Sequence, residues 1–357
     1  MKTIYFLTTF VLFHCLGLLG QVEATEVVSG LGFPYGVAVH GNDLYVSVSD
    51  KVSKIDLTAN TPVATDFVTE GLVSPNGLIV HGNDLYISEY RGDVINNNRI
   101  LKVDLTVATP VATEVVGGLD NLELMAIHGN DLYVSQYGSN TIVKIDLTAE
   151  TPAAIEVVSV SEPIGLAVYG NELYIANSAD KKIVKIDLIT NIPTATDVVS
   201  GLGFPTGLAV YENELYIATD GDKIAKIDLT AETPVLTDVV TTGLTSSWQL
   251  VVAGDVLYIA DSGASGDKVL KLDLSTLSVA DIPIELSKVG ISPNPASNFL
   301  QVLGLKATEK YAIYNVLGAK IQEGKLNDEK QIDLKKVPKG IYLLQLENTK
   351  TIKFVKE

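Results

Sequence analysis

The sequence predicts an all-β protein, a six-bladed β-propeller followed by a small C-terminal β-sandwich, and three observations predict it. The stretch Gly36-Val-Ala-Val-His-Gly-Asn-Asp-Leu-Tyr-Val-Ser47 returns as Gly77-Leu-Ile-Val-His-Gly-Asn-Asp-Leu-Tyr-Ile-Ser88. It returns again around Leu132-Tyr133, Leu173-Tyr174, Leu215-Tyr216 and Leu257-Tyr258, so that successive Leu-Tyr pairs lie 41, 47, 41, 42 and 42 residues apart. A Lys-[Ile/Val/Leu]-Asp-Leu tetrapeptide follows each copy, starting at Lys54, Lys102, Lys144, Lys185, Lys226 and Lys271. A strand-rich unit of this length cannot bury both its faces alone, and six in a row stack around an axis. The third observation is that the period stops near Ser287, where the composition shifts towards lysine.

Each unit reads as four strands. In the first, Gly36–His40 is small and apolar, which suits an innermost strand crowded by its neighbours. Asp43–Ser47 follows a turn whose Gly and Asn supply hairpin chemistry. Val52–Leu57 alternates and makes the third strand, and Thr65–Val68 the outer one. β-branched residues dominate throughout, as a half-buried pleated surface prefers. Pro62, Pro110, Pro152, Pro193 and Pro234 recur before the outer strand, where proline also blunts an exposed sheet edge. Seven outer strands compete for six blades. Thr25–Val28 is favoured over Val279–Ile282, which Pro283 weakens, as the strand that closes the last blade.

The organisation is therefore a signal peptide over 1–20, a propeller over 24–285 and a C-terminal domain over 288–357. The apolar run from Thr3 to Gly20 behind Lys2 is a secretory signal, with cleavage near Gly20 or Ala24. It is too short and interrupted for a membrane span, and no second long apolar run exists, so no transmembrane segment is expected in the mature chain. Cys15 is the only cysteine, and His14 stands where a lipoprotein site wants a small residue. Removal of the signal leaves no disulfide or thiol chemistry. Residues 1–287 carry 14 Lys/Arg against 36 Asp/Glu, whereas residues 288–357 carry 12 Lys against 7 Asp/Glu. So acidic a body argues against nucleic acid as a partner. After Ser287, short strands at Phe299–Val302, Lys310–Val316, Lys320–Glu323, Gln331–Leu334, Ile341–Glu347 and Thr351–Val355 read as a β-sandwich.

Loops entering the innermost strands and loops leaving the second strands meet at one mouth of a propeller. Aligning the repeats places Tyr35, Asn76, Glu123, Ile164, Thr206 and Trp248 in one ring, and Val48, Glu89, Gln136, Asn177, Thr219 and Asp261 in another. The framework nearly repeats from unit to unit while these rings do not, which a binding mouth would show and which unconstrained loops would show as well; the concave, part-polar setting favours binding. The candidate ligand-binding residues are Tyr35, Asn76, Glu89, Glu123, Gln136, Asn177, Trp248 and Asp261. Asn76, Glu123, Asn177 and Asp261 are oxygen donors of a type Ca²⁺ or another divalent cation accepts. The insertion Glu89–Arg99 in the second unit is a candidate rim loop, set against a tolerated surface insertion. Its Arg91-Gly-Asp93 tripeptide is uninformative. His40, His81 and His128 share one turn position on the opposite face, where Tyr169 and Tyr211 stand in for them, so a structural role is expected and a Ser-His-Asp or Cys-His system is disfavoured.

The repeat Pro205-Thr-Gly-Leu-Ala-Val, with Glu214-Leu-Tyr-Ile-Ala and Lys223-Ile-Ala-Lys-Ile-Asp228, resembles the NHL repeat and related TolB-like six-bladed propellers. The C-terminal blocks Ser292-Pro-Asn-Pro295, Tyr311-Ala-Ile-Tyr-Asn-Val-Leu-Gly-Ala-Lys320 and Val337-Pro-Lys-Gly-Ile-Tyr-Leu-Leu-Gln-Leu346 resemble the type A sorting domain of the Bacteroidetes type IX secretion system. That resemblance implies recognition of residues 288–357 by the secretion machinery and delivery of a secreted or cell-surface protein. The expected function is a binding module for a glycan, peptide or surface protein, with no catalysis assigned. The alternative, implied by likeness in residue type to gluconolactonase-like propellers, is a divalent-metal lactonase, hydrolase or lyase. A propeller scaffold by itself does not choose between them.

Overall fold

The computed structural model describes residues 23–92, 97–263, 267–276, 290–303, 310–315, 318–326, 330–346 and 352–357. The expected signal peptide, the competing strand Val279–Ile282, the tip of the insertion including Asp93, and most of the expected domain boundary lie outside them. The chain divides into two compact units, with the boundary between Ser275 and Thr276.

Among the described residues the first unit holds six four-stranded antiparallel sheets, five of them hydrogen-bonded in simple meander order. The first blade runs Pro34–His40, Asp43–Val48, Lys51–Asp56 and Ala64–Val68, and each later repeat copies it. The last blade takes Ser247–Ala253, Val256–Asp261 and Lys268–Asp273 from the end of the unit and Thr25–Ser29 from its start. Thr25 pairs with Lys271 and Ser29 with Lys268, so the favoured N-terminal strand closes the last blade. The innermost strands touch in cyclic order from Pro34–His40 through each blade and back from Ser247–Ala253 to Pro34–His40, which makes the ring complete. Closure pairs the outer edge of Lys268–Asp273 with a strand from the other end of the unit, which ties the two ends of the ring together.

The core lies between blades rather than within one. Ala38, Tyr45 and Val52 of the first blade bury against Leu78, Leu85 and Ile87 of the second, and Val37, Leu44 and Val46 bury against Tyr258, Ala260 and Val269 of the last. The recurring tyrosines are therefore inter-blade filling, as their burial shows. The recurring Asp of the Lys-Ile-Asp-Leu unit closes the turn that follows it. Asp56 Oδ1 accepts from Thr58 N at 2.8 Å and Thr58 Oγ1 at 2.6 Å. Asp104, Asp146 and Asp228 do the same, and these bonds hold all four carboxyls below their ordinary range. The Lys of the same unit pairs across the hairpin with the acid of the second strand, as in Lys54–Asp43 at 3.0 Å and Lys144–Asp131 at 2.9 Å. With both side chains about a third exposed, each such pair contributes about 0.2–1 kcal/mol.

At the axis the innermost strands approach so closely that a side chain does not fit. A Cβ on Gly207 would stand 1.9 Å from the Trp248 carbonyl oxygen, and one on Gly165 2.0 Å from that of Thr206. Ser47 Oγ accepts from Gly36 N at 2.7 Å and donates to Asn76 O at 2.6 Å, which stitches the first blade to the second. Ser88 repeats the stitch between the second and third blades through Gly77 N and Glu123 O.

The second unit has two sheets. One runs Gly290–Ser292, Phe299–Leu303 and Gln331–Asp333, and the other Lys320–Lys325, Lys310–Asn315, Gly340–Leu346 and Ile352–Lys356. Leu300, Val302, Ile313, Leu344 and Phe354 fill one shared core. Along Gly340–Leu346 burial alternates, with Tyr342, Leu344 and Leu346 inside, as a period of two demands. The proline-rich start is tied to the end of the chain: Asn294 Oδ1 accepts from Val355 N at 2.9 Å, and Ala296 N donates to Val355 O at 2.7 Å.

Candidate functional site

The first ring converges. Tyr35, Asn76, Glu123, Ile164 and Trp248, from five different blades, line a cavity of about 330 Å³ at one mouth of the propeller. Thr206, the sixth member, is buried and donates its hydroxyl to Ser247 O at 2.8 Å instead, which ties the fifth blade to the last.

Tyr35 stacks on Trp248, with ring centroids 4.6 Å apart and planes 27° apart. The Tyr35 hydroxyl donates to the Glu123 carboxylate. The aromatic walls strip water from Glu123, and burial pushes its carboxyl up to about 7 despite the opposing hydrogen bond from Tyr35. Burial first, and then the neighbouring Glu123 charge, raise the Tyr35 phenol well above its ordinary value. The pair therefore holds one proton firmly on the phenol and a second loosely on the carboxyl at neutral pH.

The second ring does something else. Glu89, Gln136 and Asp261 each accept from a backbone N–H sixteen residues earlier: Val73 N to Glu89 Oε1 at 2.6 Å, Asp120 N to Gln136 Oε1 at 2.9 Å, and Thr245 N to Asp261 Oδ1 at 2.9 Å. Ser246 N also reaches Asp261, at 2.8 Å. These three buried side chains clamp the loop that leads into the innermost strand of their own blade. Glu89 is further paired to Arg99 at 2.5 Å, which fixes the base of the insertion. Asn177 holds Asp180 through both its amide atoms. The four-residue oxygen set expected for a cation is thus divided. Asn76 and Glu123 face the cavity, whereas the oxygens of Asn177 and Asp261 are turned into loop hydrogen bonds. Among the described residues no group of three or more His, Cys, Asp and Glu is placed to hold a metal. With Asn177 and Asp261 engaged in loops, the set offers Asn76 and Glu123 to a cation at the mouth.

Four further residues line the mouth: Tyr90, Tyr137, Asn121 and Phe204. Tyr90 and Tyr137 directly follow Glu89 and Gln136, and Asn121 and Phe204 stand two before Glu123 and Thr206. Side chains alternate along a strand. A residue next to the second ring therefore points to the opposite side, into the mouth. The pairing continues far enough to impose that rule, since Tyr90 N donates to Ser74 O and Tyr137 N to Asn121 O. Counting one position further along each repeat reveals both tyrosines in the sequence.

Gln249 follows Trp248 at the axis. It takes the place that glycine holds in four blades, and its buried side chain reaches across the axis. Its Oε1 accepts from Val37 N at 3.2 Å and Leu78 N at 2.9 Å, and its Nε2 donates to Leu78 O at 2.6 Å. Gln249 also lines the cavity of the opposite mouth, whose walls are aliphatic residues of all six innermost strands.

Comparison with known proteins agrees with both units. No curated protein sequence matches the chain. Among solved structures, the PQQ-bound aldose sugar dehydrogenase of Streptomyces coelicolor is similar with a TM-score of 0.55 at 14% identity, covering 71% of this chain and 97% of that one. A putative oxidoreductase (glucose dehydrogenase) of Thermus thermophilus gives 0.55 at 15%, covering 70% and 99%. A chain of a nidogen/laminin complex gives 0.54 at 18%, covering 66% and 90%. These likenesses show the propeller fold. Residues 290–357 match the family described as secretion system C-terminal sorting domain. That segment is thus the part of the chain that the type IX export machinery reads, and the protein is delivered to the cell surface or outside the cell.

Proposed function

We propose that the protein is an exported binding module whose recognition site is the mouth framed by Tyr35, Glu123 and Trp248. The observation that supports this reading most is the stacked Tyr35–Trp248 pair beside a carboxyl of raised pKa, in a concave, largely aromatic cavity. Small-molecule sites have this composition, mostly apolar walls with a few placed polar groups. Two of the similar structures are named as sugar dehydrogenases and one as a protein complex. The fold accommodates both kinds of work, so the mouth decides.

The propeller itself we assign to the six-bladed NHL- and TolB-like class, on the repeat and the six sheets. The clamp roles of Asn177 and Asp261 speak against the metallo-hydrolase alternative. The test is a glycan and protein array probed with the intact protein and with Trp248→Ala. A ligand lost on substitution supports the reading, and one bound equally by both proteins overturns it.

A further inference from the structure

We propose that the mouth receives a quaternary ammonium ion of about the size of choline, held against the Tyr35–Trp248 pair and facing the Glu123 carboxylate. This rests on the reading of the mouth as the recognition site. Among the described residues, Tyr35, Tyr90, Tyr137, Phe204 and Trp248 supply five aromatic rings, Glu123 supplies the single carboxylate, and no Lys, Arg or His lines the cavity. Each ring presents a negative face, and a desolvated cation gains about 0.5–2 kcal/mol from such a contact.

The polar atoms of the mouth narrow the choice. The Glu123 carboxylate already accepts from Tyr35, and the Asn76 amide nitrogen donates to Leu122 O at 3.0 Å. The Tyr137 hydroxyl is engaged with Glu162. Asn76 Oδ1, the second Glu123 oxygen and the Asn121 side chain are left to meet a ligand, and none of them carries a positive charge. A phosphate or carboxylate would meet Glu123 with no cation to offset it. A quaternary ammonium needs no hydrogen-bond acceptor, because its charge is spread over methyl groups that pack on ring faces. The volume of about 330 Å³ sits at the lower end of the range for small ligands, roughly 300–1,000 Å³. An acidic body, with 36 Asp/Glu against 14 Lys/Arg before residue 288, raises the local concentration of cations.

Glu123 adds a signature. With its carboxyl pushed up to about 7, it is part protonated at neutral pH. A bound cation favours the carboxylate and expels the remaining proton. The titratable neighbours are Tyr35 and Tyr137, both held above their ordinary range, and Glu162 behind Tyr137.

Trp248 is the only tryptophan, so its fluorescence reports on its own surroundings, the mouth and the neighbouring cavity beside Thr206. Intact protein is titrated at constant ionic strength with choline chloride and with 3,3-dimethylbutan-1-ol, the uncharged carbon isostere. The expected result is a saturable change with choline, at least about tenfold tighter than with the isostere. Glu123→Gln, checked for a single cooperative unfolding transition, weakens choline about tenfold. An equal response to both compounds, or none to choline, overturns the inference on the unmodified protein, whatever the variants do. If choline is silent while an array ligand depends on Trp248, the ammonium assignment falls and the mouth remains a recognition site. If no ligand of either kind depends on Trp248, both readings fall.

Discussion

The Tyr35 hydroxyl hydrogen-bonds the Glu123 carboxylate although a whole blade stands between the two sheets that carry them. The bond spans the first and third blades across the mouth, so the ionisation of one carboxyl is coupled to the closure of the ring. Glu123 is raised from 4.5 in the unfolded chain to about 7 in the fold. Between those values the folded protein keeps a proton that the unfolded chain has released. Stability from this group is complete below pH 4.5 and is lost as pH rises to 7.

Glu123→Gln therefore removes a pH slope. The variant is expected to match the parent near pH 4.5 and to exceed it by roughly 3 kcal/mol at pH 8, measured by chemical unfolding at both values. Tyr35→Phe acts in the opposite sense. It deletes the one hydrogen bond that favours the carboxylate, so the steep part of the parent's slope moves to higher pH. A flat parent profile between pH 4.5 and 8 would show that Glu123 is ordinary.

Gln249→Leu keeps the volume and deletes three hydrogen bonds at the axis. Val37 N, Leu78 N and Leu78 O are left without that partner in a buried setting. An orphaned buried donor or acceptor costs about 1–3 kcal/mol. The expected loss is about 3 kcal/mol or more in urea unfolding, with Trp248 fluorescence altered because the residue next to it has lost its anchors. A loss under about 1 kcal/mol would mean that Gln249 fills space and nothing else.

The axial serines give an internal control. Ser47 bonds both Gly36 N and Asn76 O, whereas Ser135, at the same repeat position, has no partner for its buried hydroxyl. The third blade carries Leu124 where the first carries Gly36, and the stitch is missing there. Ser47→Ala should cost about 1–2 kcal/mol, and Ser135→Ala should be neutral or stabilising. Equal effects on thermal unfolding would contradict the assignment of the stitch.

The repeat period, the four strands of each unit and even the closing strand are legible in the sequence, because one hydrophobic pattern is written six times. The first mouth ring is legible for the same reason, as Tyr35, Asn76, Glu123 and Trp248 break the pattern at one position. The second ring misleads. Glu89, Gln136 and Asp261 are polar and variable, as a ligand set would be, yet each faces its own loop. Polarity alone does not say which side of a strand a side chain takes, and the alternation that sends Tyr90 and Tyr137 inward sends these three outward. Gln249 escapes notice because its partners lie 171 and 212 residues away, at Leu78 and Val37. In the C-terminal unit the strand Gly290–Ser292 sits beside a proline-rich stretch that reads as a motif rather than as a strand.

Export tests the other half of the molecule. Residues 290–357 match a sorting domain, and they form a unit with its own core around Leu300, Ile313, Leu344 and Phe354. The propeller closes without them, since its last blade is completed by Thr25–Ser29. Deletion of residues 288–357 should therefore leave a folded propeller that stays behind the outer membrane. Fractionation followed by immunoblotting of the surface and the medium gives the answer, and thermal unfolding of the retained protein confirms that the defect is one of delivery. A subtler variant separates sorting from folding within the tail. Asn294→Ala removes the side chain that receives Val355 N, and so loosens the proline-rich start from the final strand. Its expected outcome is reduced delivery with an unchanged propeller transition. Normal surface delivery of the deletion variant would refute the sorting role, because the match to residues 290–357 would then carry no export information.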